Sequence, residues 1–447
     1  MNKDLNYWLS QYVTKVFETP STEYSEWFGY YNYDTLNSDQ TKMLCGRSKV
    51  DGVPPEKGMS IELGYYTIPS GEWHHIGYSD SWNWPQGAMM QWLRSEAGQE
   101  KVIFNCSKND RLISRIHNLE TGEDKDIDWP IYGITPDGKK SISLDLERSY
   151  WCRAYHYQSV ANSEKDGRVY ENDGIYEIDL ENNTKKTIIS IQNIIHTDYR
   201  PYFDEQKHWL EHIMINPSGT RFCFLHRFSP VDDVLQYETR LFIANIDGSC
   251  LQCIKGWDKV QWSHFGWCGD NAFSIYSYYP AKIKVAPMKT LISKEGFSLV
   301  GLLKSVIIKG ISKLPYAMAK KLGSRFSAYQ YYEANEQGVF NLKELIDPKE
   351  SRIDGHPSFT VSQNYMVTDT YGDKNSWQKL YVYNRTNGHV TVLANFLAFY
   401  NKKPGSCDLH PKLCGNNDYV VVDSAHDEKH HMLLFKVNWK EIQSHER

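Results

Sequence analysis

No stretch of this sequence approaches the roughly 18 consecutive apolar residues of a membrane-spanning helix, and Met1-Asn2-Lys3-Asp4-Leu5-Asn6 is not followed by the apolar core of a secretory signal. A soluble, cytoplasmic protein is the expectation. Cysteine is sparse: nine residues, an odd number, of which only Cys250 and Cys253 form a C-x-x-C pair. That pair has no second pair to complete a zinc site, so ordinary packing is its expected role, and no disulfide framework is expected. Nor does charge of one sign prevail. Against 55 acidic residues stand 50 basic ones, giving −5, and no arginine-rich stripe marks a nucleic-acid partner. The absence of a phosphate loop, a nucleophile elbow and an HExxH helix removes nucleotide, serine-hydrolase and zincin chemistry.

What is abundant is aromatic. Aromatic residues reach 14%, with 31 Tyr and 14 Trp along the whole length, which suits half-buried sheet surfaces and also the stacking platforms of carbohydrate sites. At 447 residues and 40% hydrophobic content, the chain can bury a large core.

One unit returns along the chain: a strand rich in aromatic or branched residues, a polar turn often holding Gly or Asn, then a second strand. Copies start near Ile61, Ser114, Gly174, Arg240, Tyr329, Lys379 and His431, the last without a clear glycine turn. The intervals are 53, 60, 66, 89, 50 and 52 residues, close to the spacing of four-stranded propeller blades of about 50 residues. Second turn markers, Pro136-Asp137-Gly138, Pro217-Ser218-Gly219 and Ser362-Gln363-Asn364, supply the other strands. The pattern predicts an all-β chain, a seven-bladed β-propeller with a helical insertion, over 26–447; two tandem β-sandwiches are the competing reading. Residues 1–25, helical around Tyr7 to Phe17, are expected to pack on the outside of the ring.

The long interval holds the insertion, 286–325. Leu299, Leu302, Leu303, Val306, Ile307 and Ile311 recur at near-helical spacing among Lys304, Lys309, Lys313, Lys320, Lys321 and Arg325. A basic amphipathic helix either lies on an anionic membrane surface, making the protein peripheral to the membrane, or caps the ring with its apolar stripe buried.

Propellers gather strand ends at the mouth of a central channel, where residues distant in sequence meet. His212, His226, Arg227, His264, His356 and His410 all sit near strand starts or ends. Imidazoles serve as bases or metal ligands and arginine pairs with carboxylates, while Asp354, Asp369, Asp408 and Asp423 can orient imidazoles or cap turns. Trp82-Asn83-Trp84-Pro85-Gln86-Gly87 is either a sugar-stacking loop, with Trp82, Trp84 and Gln86 contacting substrate, or a buried blade corner.

The segments Glu211-His212 to Pro217-Ser218-Gly219 and Phe224-Leu225-His226-Arg227, Ser263-His264-Phe265-Gly266-Trp267, Asp354-Gly355-His356-Pro357-Ser358-Phe359, Thr368-Asp369-Thr370-Tyr371 and Asp408-Leu409-His410-Pro411 resemble the oligogalacturonate lyase type of propeller. The resemblance implies a divalent metal, typically manganese, in the central site and cleavage of a uronate-containing oligosaccharide or polysaccharide by β-elimination. On it, His264 and His356 match metal-ligand motifs, with His410 as a third candidate, and His212 is the chosen base. The chain departs from the family where a Gln accompanies closely spaced histidines: the segment before Ser358 offers Asp354 and His356 alone. In this chemistry Arg227 or the metal neutralises the substrate carboxylate, His212 or His226 takes the proton, and Tyr371 protonates the leaving oxygen. Two other readings stand beside it: a non-catalytic scaffold for surface-glycan assembly, docked to a membrane through 286–325, and a glycoside hydrolase using a pair among Asp354, Asp369 and Asp408.

Overall fold

A computed structural model of the chain describes residues 6–53, 55–94, 99–152, 172–230, 237–254, 261–279, 326–399 and 406–446. Short runs of β-branched and aromatic residues punctuated by Gly, Asn and Pro turns form seven antiparallel sheets, six of four strands and one of five. The sheets follow one another along the chain as blades at 25–79, 91–127, 133–190, 206–254, 261–346, 358–397 and 412–437. The fold is a seven-bladed β-propeller.

Each repeat read from the sequence coincides with the third strand of a blade: Ile61–Thr67, Arg111–Asn118, Gly174–Asp179, Glu238–Asn245, Phe326–Ala334, Trp377–Asn384 and His431–Val437. The Gly and Asn turns that follow lead to the fourth strands. His431–Val437 has no such turn because its outer neighbour comes from the other end of the chain. Val13–Glu18 pairs antiparallel with it, Val13 opposite Val437, and closes the ring. Tyr7–Leu9 adds a fifth strand to the sixth blade, Tyr7 opposite Phe396. The stretch Tyr7 to Phe17 is therefore strand, not helix, and it belongs to the ring. Its apolar residues find their partners more than 370 positions away, a non-local pairing that overrides local helical spacing.

Blades bury both faces. In the seventh, Val420, Val422, Leu433 and Phe435 join Val367, Leu380 and Val382 of the sixth in one apolar cluster, whereas Val421, Met432 and Leu434 join a cluster that runs through blades one to five. This is strand alternation with a blade on either side, and each fully buried aliphatic side chain contributes about 1.5–3 kcal/mol. The connection that includes 286–325 leaves the fifth blade after Tyr279 and returns at Phe326, which are opposite one another in the ladder. The insertion 286–325, with its expected helix and membrane contact, lies outside the described residues. Among the described residues no helix is long and apolar enough to cross a membrane.

Candidate functional site

The first strands of the blades face the channel, and the site is built from residues within two of them and just before two others. Two of them bulge at matching places. In Gln206–Ile215 the ladder slips between Glu211 and Met214, so that His212 and Ile213 oppose one residue; in Gln261–Trp267 it slips between Trp262 and Phe265, around Ser263 and His264. A bulge re-aims a side chain that alternation would send elsewhere, and His212 adopts φ 57° to do so. His356 and His410 precede the first strands of the sixth and seventh blades, His410 with φ 44°. Four imidazoles from four blades thus converge: ring centres lie 6.0 Å apart for His212 and His264, 4.1 Å for His264 and His356, and 4.3 Å for His356 and His410.

Beneath them passes the segment after the first strand of blade one. Tyr31 donates its hydroxyl to the Phe265 carbonyl at 2.7 Å and accepts the Phe265 N–H at 3.1 Å. Tyr30 stacks on His212 at 5.1 Å and hydrogen-bonds its Nδ1. Gly29, at φ 125°, has room for no side chain, since a Cβ would lie 2.5 Å from the Gln86 carbonyl oxygen. Its amide and that of Phe28 donate to Asp423, whose carboxylate also takes the buried Lys412 ammonium at 2.9 Å.

These contacts set the tautomers. The Gly29 carbonyl, 3.1 Å from His410 Nδ1, can only accept, so Nδ1 carries the proton and Nε2 a lone pair. The Asp369 carboxylate, 2.9 and 3.0 Å from His356 Nδ1, does the same there, and Asp354 at 3.2 Å does so for His264. Nε2 of His356 is fully buried and has no hydrogen-bond partner among the described residues. Burial pushes the His356 and His410 imidazoles below their usual range, strongly so for His410, against the opposing pull of Asp369 on His356. Both rings are therefore neutral at neutral pH. Burial, reinforced by the Asp369 and Asp354 charges, pushes the half-buried Asp408 carboxyl well above the ordinary carboxylate range.

Donor atoms of His356, Asp408 and His410 lie within 4.8 Å of one another. Two bare imidazole nitrogens, one of them an orphan, with a carboxylate nearby fit a first-row divalent cation. Of the expected metal ligands His264, His356 and His410, the structure brings all three rings together, but Asp408 rather than His264 completes the compact donor set.

The other expected residues divide. Arg227 is buried and donates to Glu211 at 2.7 Å; Glu211 also receives the Trp209 indole N–H at 2.6 Å and faces His212 Nε2 at 3.4 Å. Tyr371 lies edge-on to His264 and His356 at 5.9 and 5.7 Å, and burial next to Asp408 and Asp354 holds its phenol well above its usual range. His226 does not reach the channel. Adjacent to Arg227 on one strand, it points to the opposite face, where it stacks on His208 at 5.1 Å and takes Arg240 on Nδ1 at 3.1 Å. Both its nitrogens are occupied within the blade, so it cannot serve as a base.

Trp82, Trp84 and Gln86 form a packed corner rather than a sugar platform. The indoles pack on Trp27 and donate to the Met59 and Val53 carbonyls at 2.9 and 2.6 Å, and all three side chains are buried. Gln86 donates to the Tyr132 hydroxyl at 2.9 Å, which in turn accepts the His212 amide at 3.1 Å. It thereby braces the bulge from behind. Tyr30 and Tyr31 escaped the sequence reading, and Glu211 stood in a quoted motif without a role; the run Phe28-Gly29-Tyr30-Tyr31 carries no signature beyond a glycine among aromatics.

No family model and no curated protein sequence matches the chain. Among solved structures, an oligogalacturonate lyase in complex with manganese superposes with a TM-score of 0.58 at 15% identity, over 95% of this chain and 96% of that one. The fold is shared. More distant are the β-propeller domain of the Trilobed protease from Pyrococcus furiosus, at 10% identity over 92% and 96% with a TM-score of 0.44, and an α-L-arabinanase from Penicillium chrysogenum, at 8% over 97% and 99% with 0.39.

Proposed function

We propose that the chain is a metal-assisted polysaccharide lyase that cleaves a uronate-containing glycan by β-elimination. The observation that carries this reading is the orphan Nε2 of His356 converging with His410 and Asp408 at the channel. A divalent cation held by His356, His410 and Asp408, manganese by resemblance, would supply positive charge for the uronate carboxylate, whose α-proton is thereby made more acidic.

The chain's own groups divide the proton traffic. Glu211 faces His212 Nε2 and stabilises the imidazolium that forms, while the Tyr30 hydroxyl sits on Nδ1, so the α-proton enters His212 through that hydroxyl as a relay. Arg227 pairs with Glu211 at 2.7 Å and supplies the counter-charge for its buried carboxylate. Tyr371, held as a neutral phenol, is the proton donor to the oxygen expelled from the β-carbon. The hydrolase reading is weaker because it needs a pair and two of its three candidate carboxylates hold histidines: Asp354 faces His264 and Asp369 faces His356.

The test couples metal analysis of the purified protein to ultraviolet absorbance during incubation with uronate oligosaccharides. Bound divalent metal with a rising absorbance from the unsaturated product is expected. A metal-free protein that gives no absorbance change after metal is supplied would overturn the proposal.

A further inference from the structure

Four hydrogen bonds close a circuit between His410 and the first blade. His410 Nδ1 donates to the Gly29 carbonyl at 3.1 Å, and the Gly29 amide donates to Asp423 at 3.4 Å. Asp423 takes the Lys412 ammonium at 2.9 Å, and the same ammonium returns to the His410 carbonyl at 3.0 Å. The Phe28 amide adds a bond to Asp423 at 3.2 Å, and the Asp423 amide donates to the Leu409 carbonyl at 2.9 Å. His410, Lys412 and Asp423 are all buried. His410 holds φ 44°, which a residue with a side chain rarely adopts, and Lys412 pins the carbonyl of that residue.

The circuit crosses the place where the ring closes. Phe28 and Gly29 follow the first strand of blade one, whereas His410, Lys412 and Asp423 come from blade seven or the residues just before it, and the bonds between the two groups span 381, 394 and 395 positions. Beside them the Glu26 amide donates to the His430 carbonyl at 2.8 Å and the Thr19 amide to the Met432 carbonyl at 3.0 Å. The chain links these blades directly only through 19–24, between the closing strand Val13–Glu18 and Ser25–Trp27.

We infer that Lys412 and Asp423 are positioning residues for His410, and that through them metal occupancy and closure of the ring are linked. A cation on His410 Nε2 draws charge from the imidazole and makes Nδ1–H a better donor, so the bond to Gly29 tightens when the site is filled. By reciprocity, whatever loosens the closure weakens metal binding by the factor with which metal suppresses opening. Gly29 admits no side chain, so the circuit is varied through its other members. The inference rests on the metal site of the function proposed above, not on β-elimination.

Hydrogen exchange read by mass spectrometry on the full-length protein, at one pH with and without saturating Mn2+, tests the linkage. In the wild type Mn2+ is expected to slow exchange by about fivefold or more at 13–18 and 25–29 and to leave 101–118 in blade two unchanged. Lys412→Met is expected to bind Mn2+ about tenfold more weakly or worse, and to lose the slowing at 25–29 even when saturated. Asp369→Asn acts on the other imidazole, His356, so it weakens binding too but keeps the slowing once saturated. Wild-type affinity in folded Lys412→Met, or slowing that persists in it, makes the pair structural only and overturns the inference. Exchange in the wild type that Mn2+ leaves unchanged, or slows equally in every blade, overturns it as well. Should Lys412→Met fail to fold, the comparison of the wild type with Asp369→Asn carries the test. The two proposals fail separately: slowing by Mn2+ with flat absorbance removes the lyase and leaves the linkage, and product formation with unchanged exchange does the reverse.

Discussion

One carboxylate oxygen of Asp369 accepts two bonds from the same residue, the backbone N–H of His356 at 2.7 Å and its ring Nδ1–H at 2.9 Å. Position and tautomer of the imidazole are thus fixed by a single group, and both residues are wholly buried. Carboxylates in this relation to a metal-binding histidine typically govern 10–100-fold in metal affinity. Asp369→Asn is therefore expected to release the metal at about 10–100-fold lower chelator concentration than the wild type, read as metal content by mass spectrometry after dialysis against graded chelator. Wild-type retention would show that Asp369 only anchors the backbone.

The Tyr30–His212 contact predicts a kinetic contrast. Tyr30→Phe removes the hydroxyl that sits on Nδ1 and keeps the stacked ring, so stability should change little while turnover of a uronate oligosaccharide falls by about 10²–10⁴-fold, the usual worth of a positioned proton-transfer group. His226→Gln, which alters a residue outside the channel, should leave turnover of the folded fraction unchanged. Initial rates normalised to folded protein decide between them; a rate that survives Tyr30→Phe removes the relay.

How far these features could be read from the sequence depends on how local their causes are. The third strands were legible because each carries its own pattern and, in all but the seventh, its own Gly or Asn turn. His264, His356 and His410 were legible as a set because each stands in or just before the first strand of a blade, and first strands converge in a ring. The bulges at His212 and His264 were not, since they are slips between two strands and leave no residue signature. Tyr30 and Tyr31 act across the channel on blades four and five, through contacts spanning 182 and 234 positions. His226 is a different case. Alternation along one strand already forbids His226 and Arg227 from facing the same side, and that signal was available.

Lys412 and Asp423 form a buried pair with unequal partners. Asp423 keeps two backbone N–H donors if the lysine is lost, whereas among the described residues Lys412 keeps the His410 carbonyl at 3.0 Å and the face of Phe28 at 5.5 Å if the aspartate is lost. Breaking such a pair costs about 3–5 kcal/mol, and replacing both partners by apolar groups costs less. Asp423→Leu is expected at the high end, Lys412→Met below it, and the double variant should recover part of the Asp423→Leu loss. Denaturant midpoints of the four proteins form the cycle; strict additivity would show that the charges do not interact.

The misplaced histidine supplies the last prediction. His208 Nε2 meets the Phe203 carbonyl at 2.8 Å and must carry its proton, so its Nδ1 accepts from His226 Nε2 at 2.9 Å, and His226 Nδ1 accepts from Arg240. The chain of donors and acceptors is complete only with both rings neutral. Burial, with the nearby Arg240 charge adding to it, lowers His208 from 6.5 to about 4 and holds His226 well below its usual range. An unfolded chain protonates both near pH 6.5, so it binds more protons than the folded one below that value. Stability from this cluster is whole above pH 6.5 and declines as pH falls toward about 4, by roughly 3 kcal/mol for His208 alone. Denaturant midpoints measured from pH 7 to pH 4 should fall across that window. Replacing both histidines by asparagine should flatten the fall while lowering stability at pH 7, and an unchanged slope would place the acid sensitivity elsewhere.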